Sequence, residues 1–260
     1  MNNVNKTLYI PLYGKAYVSR RGVILQDTKA EEIWAAEGFP LKGKSASKWL
    51  SFYMGMRAAV FDRWVKQQLQ ATPDAAVLHL GCGMDSRNLR VGDTSVMWYD
   101  IDFEDVIAQR RKYYTETEKY KMLGADVRND DFQTKIPLKK AIVIMEGISM
   151  YLTREELYQV FTKLSRYFEK IVVLMDCYTE FAAKASKYKN PINDVGVTQA
   201  YGLDDPTAAE CESLHFARAL DMTPDDLIDQ LRGSEKLIFS KLYAGSVARK
   251  MYRLYEYRKL

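Results

Sequence analysis

The chain has 260 residues, 47% hydrophobic and 28% charged, which is globular usage and enough for one α/β domain with a large core or one domain plus a cap. A net charge of +4 with no run of five or six like charges excludes a basic nucleic-acid arm, and no stretch approaches the roughly 20 apolar residues of a membrane span. Three cysteines without CxxC spacing and only two histidines argue against a Cys/His zinc site, so no metal is expected; free thiols and the lack of an apolar leader point to the cytoplasm.

Residues 1–72 read as a helical N-terminal cap. Within residues 31–70, Trp49, Phe52, Tyr53, Met56, Val60, Phe61, Trp64 and Val65 recur at helical spacing, and Pro73-Asp74 breaks the segment. Short apolar runs then alternate with amphipathic stretches. Strands are expected at Ala76–Leu80, Val96–Asp102, Lys121–Asp126, Ala141–Met145 and Ile171–Met175, with helix from Phe103 to Glu116. Another helix should start at Thr153, whose spacing to Glu156 makes a capping box. Apolar runs without alternation suit parallel strands covered on both faces, and the strand–helix alternation predicts a doubly wound α/β sheet.

Residues 178–220 break this rhythm with Pro191, Gly196, Gly202 and Pro206, and read as an inserted lid. Thr223 and Pro224 predict a helix N-cap and first helical residue, with the helix running to about Gly233. Leu237–Tyr243 and Ala248–Tyr257 are expected as closing strands, joined by a hairpin through Gly245. The basic residues Arg249, Lys250, Arg253, Arg258 and Lys259 read as the polar face of the last one. With five strands before them, the closing pair makes a seven-stranded, mostly parallel sheet.

Ligands of open α/β sheets bind beyond the carboxyl ends of the strands. Gly81-Cys82-Gly83 follows the first strand, where glycine admits a ligand close to the backbone. No Gly-Lys-Ser/Thr follows, so it is not a P-loop. The second strand ends in Asp100 and Asp102, about 20 residues on, where a carboxylate can accept hydrogen bonds from vicinal ribose hydroxyls. Asp126 ends the third strand, and Glu146 follows five apolar residues, where a carboxylate needs a hydrogen-bonding or cationic partner. A nucleoside-containing cofactor accounts for all four strand ends together.

These stretches resemble the leucine carboxyl methyltransferase family, which includes polyketide O-methyltransferases of the tetracenomycin type. The resemblance is carried by Arg57–Asp62, Leu80–Arg87, Trp98–Asp102 and Glu146–Leu152. The Gly-x-Gly-x-Asp-Ser-Arg form is fairly specific, because most class I methyltransferases have a third glycine where Asp85 stands. His79 departs from the acidic residue that many methyltransferases place there, and reads as a satisfied core histidine.

The resemblance implies a class I methyltransferase fold and S-adenosylmethionine (SAM) as cofactor. Arg57 would hold the methionine carboxylate, with Arg63 and Lys48 as nearby alternatives, and Glu146 would face the methionine ammonium. Gly81 and Gly83 would pack against the cofactor, Asp102 with Asp100 would take the ribose, and Asp126 with Val127 would edge the adenine. Tyr151 and Arg128 are the candidates to orient an acceptor carboxylate; no base for a phenol stands out. Cys82 reads as a small turn residue. The function implied is O-methylation of a carboxylate or hydroxyl on a small molecule. Alternatives are protein C-terminal carboxyl methylation, a non-catalytic SAM- or nucleotide-binding module, and a nicotinamide dehydrogenase, the last disfavoured by the lack of GxGxxG.

Overall fold

The computed structural model describes residues 7–41, 43–189 and 199–259. Three helices come first: α1 (Tyr9–Arg20), α2 (Thr28–Glu37) and α3 (Lys48–Ala71). The alternating region follows, as β1 (Ala76–Leu80), α4 (Arg87–Val91), β2 (Trp98–Asp102), α5 (Glu104–Arg110), β3 (Tyr120–Gly124), β4 (Lys140–Met145), α6 (Arg154–Tyr167), β5 (Lys170–Tyr178) and α7 (Glu180–Lys189). The chain closes with β6 (His215–Leu220), α8 (Asp225–Ile228), α9 (Gly233–Leu242), α10 (Gly245–Arg249) and β7 (Tyr252–Lys259).

The seven strands form one sheet in the order β3-β2-β1-β4-β5-β7-β6. The first five are parallel, and β7 runs antiparallel between β5 and β6. The strand order reverses between β1 and β4, so a cleft opens beyond their carboxyl ends. Side chains alternate between two cores. Val77, Ile142 and Ile144 face α1–α3, whereas Leu78, Leu80, Val143 and Met145 face Leu157, Val160, Phe161 and Leu164 of α6. Burial on both faces is why β4 reads as a continuous apolar run and β1 is interrupted only by His79. The class I methyltransferase fold, an α/β doubly wound and mostly parallel sheet, is what this order describes.

Local details follow the sequence at several points. Thr153 and Glu156 form the full capping box at the start of α6. The helical stretch from residue 31 is divided, because Gly38 takes a left-handed φ of 58° and ends α2 ahead of Pro40. Pro224 occupies the N-cap of α8, one position later than the Thr223 assignment, and that helix lasts only four residues.

The closing strands differ from expectation. Leu237–Tyr243 lies in and just after α9, burying Phe239 and leaving Leu237 and Leu242 exposed. The strand beside β7 is β6, drawn from the residues 178–220 read as a lid; of that stretch, 190–198 lie outside the described residues. Of the expected basic face, Arg253, Arg258 and Lys259 are on β7, while Arg249 ends α10 and Lys250 follows it. Among the described residues, no helix is long and apolar enough to cross a membrane.

Candidate cofactor and acceptor site

A cavity of about 450 Å³ lies over the carboxyl ends of the parallel strands. The strand order sets its lining in succession: Asp126 and Val127 after β3, Asp102 ending β2, Gly81 and Gly83 after β1, Glu146 and Gly147 after β4, Tyr178 ending β5 and Tyr252 opening β7. The N-terminal helices roof it with Leu8, Pro11 and Lys15 from the start of α1 and its approach, and Leu50, Met54 and Arg57 from α3.

At the β1–β2 side, Gly81 sits at φ +67°, and a Cβ there would come within 2.9 Å of Ile148. Both the backbone angle and the space therefore demand glycine. Asp102 is gripped from behind, with Gly83 N–H donating to Oδ2 and Phe103 N–H to Oδ1, each at 2.8 Å. Burial nonetheless outweighs these donors and raises its pKa to about 6.

Asp100 is not part of the lining. It is fully buried, accepting from Trp98 Nε1 at 2.9 Å, Tyr120 Oη at 2.6 Å and Arg110. Alternation puts Asp100 and Asp102 on one face of β2, but Asp100 lies level with His79 of β1 while Asp102 extends beyond that pairing. Of the two acids, only Asp102 faces the cavity.

His79 is buried at the cavity floor, and burial pushes its pKa below the usual imidazole range. Its Nδ1 is 3.4 Å from Asp100 Oδ1 and does not complete a well-formed hydrogen bond, so the ring is only loosely satisfied. Cys82 is 2% exposed and burial raises its thiol pKa well above normal, which fits a turn residue and not a nucleophile.

Beyond β4, Arg57 and Glu146 meet. Arg57 Nε donates to Glu146 Oε1 at 3.1 Å, and Arg87 donates to Glu146 Oε2. Burial alone would raise the Glu146 pKa, but the two guanidiniums bring it down to about 2. Arg63 and Lys48, the alternatives to Arg57, are surface groups paired with Asp226 and Glu235. Lys15, 3% exposed, pairs with Asp85 at 3.0 Å.

Sequence reasoning missed two members of this corner. Asp176 accepts from Arg57 Nη1 at 2.8 Å, from Tyr252 Oη at 2.7 Å and from Gly147 N–H at 2.7 Å. Tyr252 in turn accepts from Arg57 Nη1 at 2.8 Å. Asp176 was legible in principle, since it follows the apolar run of β5 just as Glu146 follows that of β4. Tyr252 lies 195 residues from Arg57 and carries no local signal.

The two residues expected to orient an acceptor fall at different ends. Arg128 stays with Asp126, donating from Nε at 2.9 Å and Nη2 at 2.6 Å, and its Nη1 lies 3.5 Å from Glu156. Its guanidinium sits 6.0 Å from the Phe103 ring, at the β2–β3 side. Tyr151 is on the β4 side with Tyr178 and Tyr252; burial raises its phenol pKa, and the Thr7 side chain hydrogen-bonds it.

Comparison with known proteins bears on the family and the fold. A family model described as leucine carboxyl methyltransferase matches residues 6–165. The chain is 29% identical to the tetracenomycin polyketide synthesis O-methyltransferase TcmP of Streptomyces glaucescens, over 99% of this chain and 97% of that protein. It is 27% identical to the S-adenosyl-L-methionine-dependent methyltransferase dpfgK of Gibberella zeae, over 64% of this chain and 61% of that protein. Among solved structures, magnesium protoporphyrin IX methyltransferase from Synechocystis PCC 6803 with bound SAM has a TM-score of 0.53 at 10% identity, covering 100% of this chain and 98% of that one. The plantazolicin methyltransferase BamL has a TM-score of 0.52 at 10% identity, covering 98% and 97%. At such identities the structural likeness speaks to the fold.

Proposed function

The chain belongs to the leucine carboxyl methyltransferase family, and on that footing we propose that it transfers a methyl group from SAM to an oxygen of a small apolar molecule. The observation that carries this reading is the order of groups around one cavity: a hydrogen-bond-accepting carboxylate at Asp102, a glycine turn, then the Arg57–Glu146 charge pair. That order matches a ribose followed by a zwitterionic amino acid. The cavity volume of about 450 Å³ is also of the size that small ligands occupy.

In this reading Asp126 and Val127 edge the adenine and Asp102 accepts from the ribose hydroxyls. Gly81 and Gly83 allow close backbone approach, Arg57 takes the methionine carboxylate and Glu146 the ammonium. When bound, SAM supplies an electron-poor methyl group on a sulfonium. The chain's own contribution is to hold the acceptor oxygen in line with that methyl and to keep water out. Tyr151, Tyr178, Met54, Leu50 and Met150 surround the remaining space and set an apolar, aromatic character for the acceptor.

Among the described residues, no side chain on that side is both uncommitted and basic. Arg57 is paired, Asp176 is engaged by three donors, and the Tyr151 and Tyr252 phenols have pKa values raised by burial. This favours an acceptor oxygen already ionised near neutral pH, a carboxylate above all, which needs no general base. Tyr151 is then the better candidate to orient it. Arg128, tied to Asp126, belongs with the adenine end.

Residues 1–260 act as one methyltransferase domain in this proposal, with 1–72 as a cap; because Tyr178 ends β5 and residues 215–220 form β6 of the sheet, any insert is confined to the stretch between those two strands. The three buried free thiols suit a reducing cytoplasmic setting. Titration with S-adenosylhomocysteine (SAH) and a base-lability test of the methylated product examine the reading. Binding with an ester product supports it; no SAH binding at millimolar concentration refutes it.

A further inference from the structure

Arg57 is held on two of its three nitrogens. Nε is taken by Glu146 at 3.1 Å, and Nη1 is shared by Asp176 and Tyr252, each at 2.8 Å. Nη2 has no hydrogen bond among the described residues and lies beside Gly147, where a Cβ would be 3.6 Å away. Gly147 lines the cavity. Asp176 in turn is fixed by the Gly147 N–H at 2.7 Å, so the same carboxylate sets both the guanidinium and the cavity wall facing it.

We propose that Asp176 and Tyr252 are positioning residues for the methyl donor, locking Arg57 so that Nη2 presents to the donor's α-carboxylate. The inference rests on the assignment of Arg57 to that carboxylate. A guanidinium paired only with Glu146 could pivot about Nε. The Asp176–Tyr252 pair removes that freedom, because Nη1 must satisfy a carboxylate on β5 and a phenol on β7 at once. Tyr252 also donates to Asp176 at 2.7 Å, closing a three-membered network that spans α3, β5 and β7. Preorganisation of this kind places the ordering of Arg57 in folding and not in donor binding. Burial holds the Asp176 carboxyl above its usual pKa despite Arg57, in keeping with a group kept for geometry.

The test is equilibrium titration with two probes, SAH and its decarboxylated analogue, on the full chain. Wild type should prefer SAH. Tyr252→Phe should bind SAH roughly tenfold more weakly and bind the decarboxylated analogue as wild type does. Asp176→Asn should show the same selective loss, and if it fails to fold, Tyr252→Phe alone decides. Equal weakening towards both probes would make the pair merely structural and overturn the proposal. So would retained discrimination in Tyr252→Phe where Arg57→Lys has lost it. A wild type that binds both probes equally would remove the carboxylate assignment of Arg57, and one that binds neither would remove the donor site itself.

Discussion

Replacing Asp102 by Asn separates a ligand carboxylate from a structural one. The folded chain raises the Asp102 pKa from 3.8 to about 6, a penalty on the ionised form of about 3 kcal/mol near neutral pH. Asn removes that penalty. It also leaves one of the Gly83 and Phe103 N–H donors facing an amide NH₂, at a loss of about 1–3 kcal/mol. The two terms nearly cancel, so the ligand-free melting temperature should move by less than about 5 °C. SAH affinity should fall about 10- to 100-fold, because the charged acceptor for two hydroxyls is gone.

The pH dependence has a defined sign. With the folded pKa raised, the penalty is absent below about pH 4 and complete above about pH 6. The stability of Asp102→Asn relative to wild type should therefore improve across that window. Wild-type SAH affinity should drop as pH falls through about 6, because the carboxyl must ionise to accept both hydroxyls. Calorimetric titration and thermal melts at several pH values read both. Unchanged SAH affinity together with a large fall in melting temperature would make Asp102 a structural clamp on the glycine loop, and would refute the ribose assignment.

Glu146→Gln should destabilise the fold by about 3 kcal/mol, because Arg57 and Arg87 lose a shared counter-charge; Arg57 keeps Asp176 and Arg87 keeps Asp62, which limits the loss. The Glu146 pKa is lowered to about 2, so its contribution is present above about pH 4.5 and fades towards pH 2, where melts of the variant and wild type should converge. Gly81→Ala should lower stability by about 1–3 kcal/mol, from a φ of +67° and a Cβ 2.9 Å from Ile148, and should weaken SAH binding as the loop shifts. Tyr151→Phe should leave SAH affinity intact and lower kcat, whereas Arg128→Ala should change kcat less than about threefold, since its partner Asp126 is at the adenine end and the pair is partly exposed. A large kcat loss in Arg128→Ala would return it to the acceptor.

What the sequence disclosed follows from how local each signal is. β4 and β5 were legible because burial on both faces leaves Ala141–Met145 and Ile171–Met175 as unbroken apolar runs, whereas β1, β2 and β3 carry His79, Asp100 and Lys121 and were recognised together with the Gly or Asp at their ends. The β6–β7 pairing was not, although the expected strand Ala248–Tyr257 overlaps β7. His215–Leu220 is an edge strand with mostly exposed side chains, so it shows no apolar pattern. Leu237, Ile238, Phe239 and Leu242 form a short apolar run that fits helix and strand alike. The donor-side residues were read from strand ends, and extending that rule to β5 would have found Asp176. Asp100 illustrates the opposite limit: sequence gives its face but not its depth, and Arg110 with Tyr120 enclose it. Contacts such as Arg57 with Tyr252 arise only once the sheet is assembled.

In the proposed function this cavity delivers a methyl group from SAM to an already ionised oxygen. Incubation with methyl-labelled SAM and a panel of aromatic carboxylic acids and phenols, followed by mild base, tests it most directly. Label should appear in an apolar product that base releases as methanol, with Tyr151→Phe impaired. Base-stable label confined to phenols would contradict the ionised-carboxylate reading, and no label together with no SAH binding would contradict the donor site.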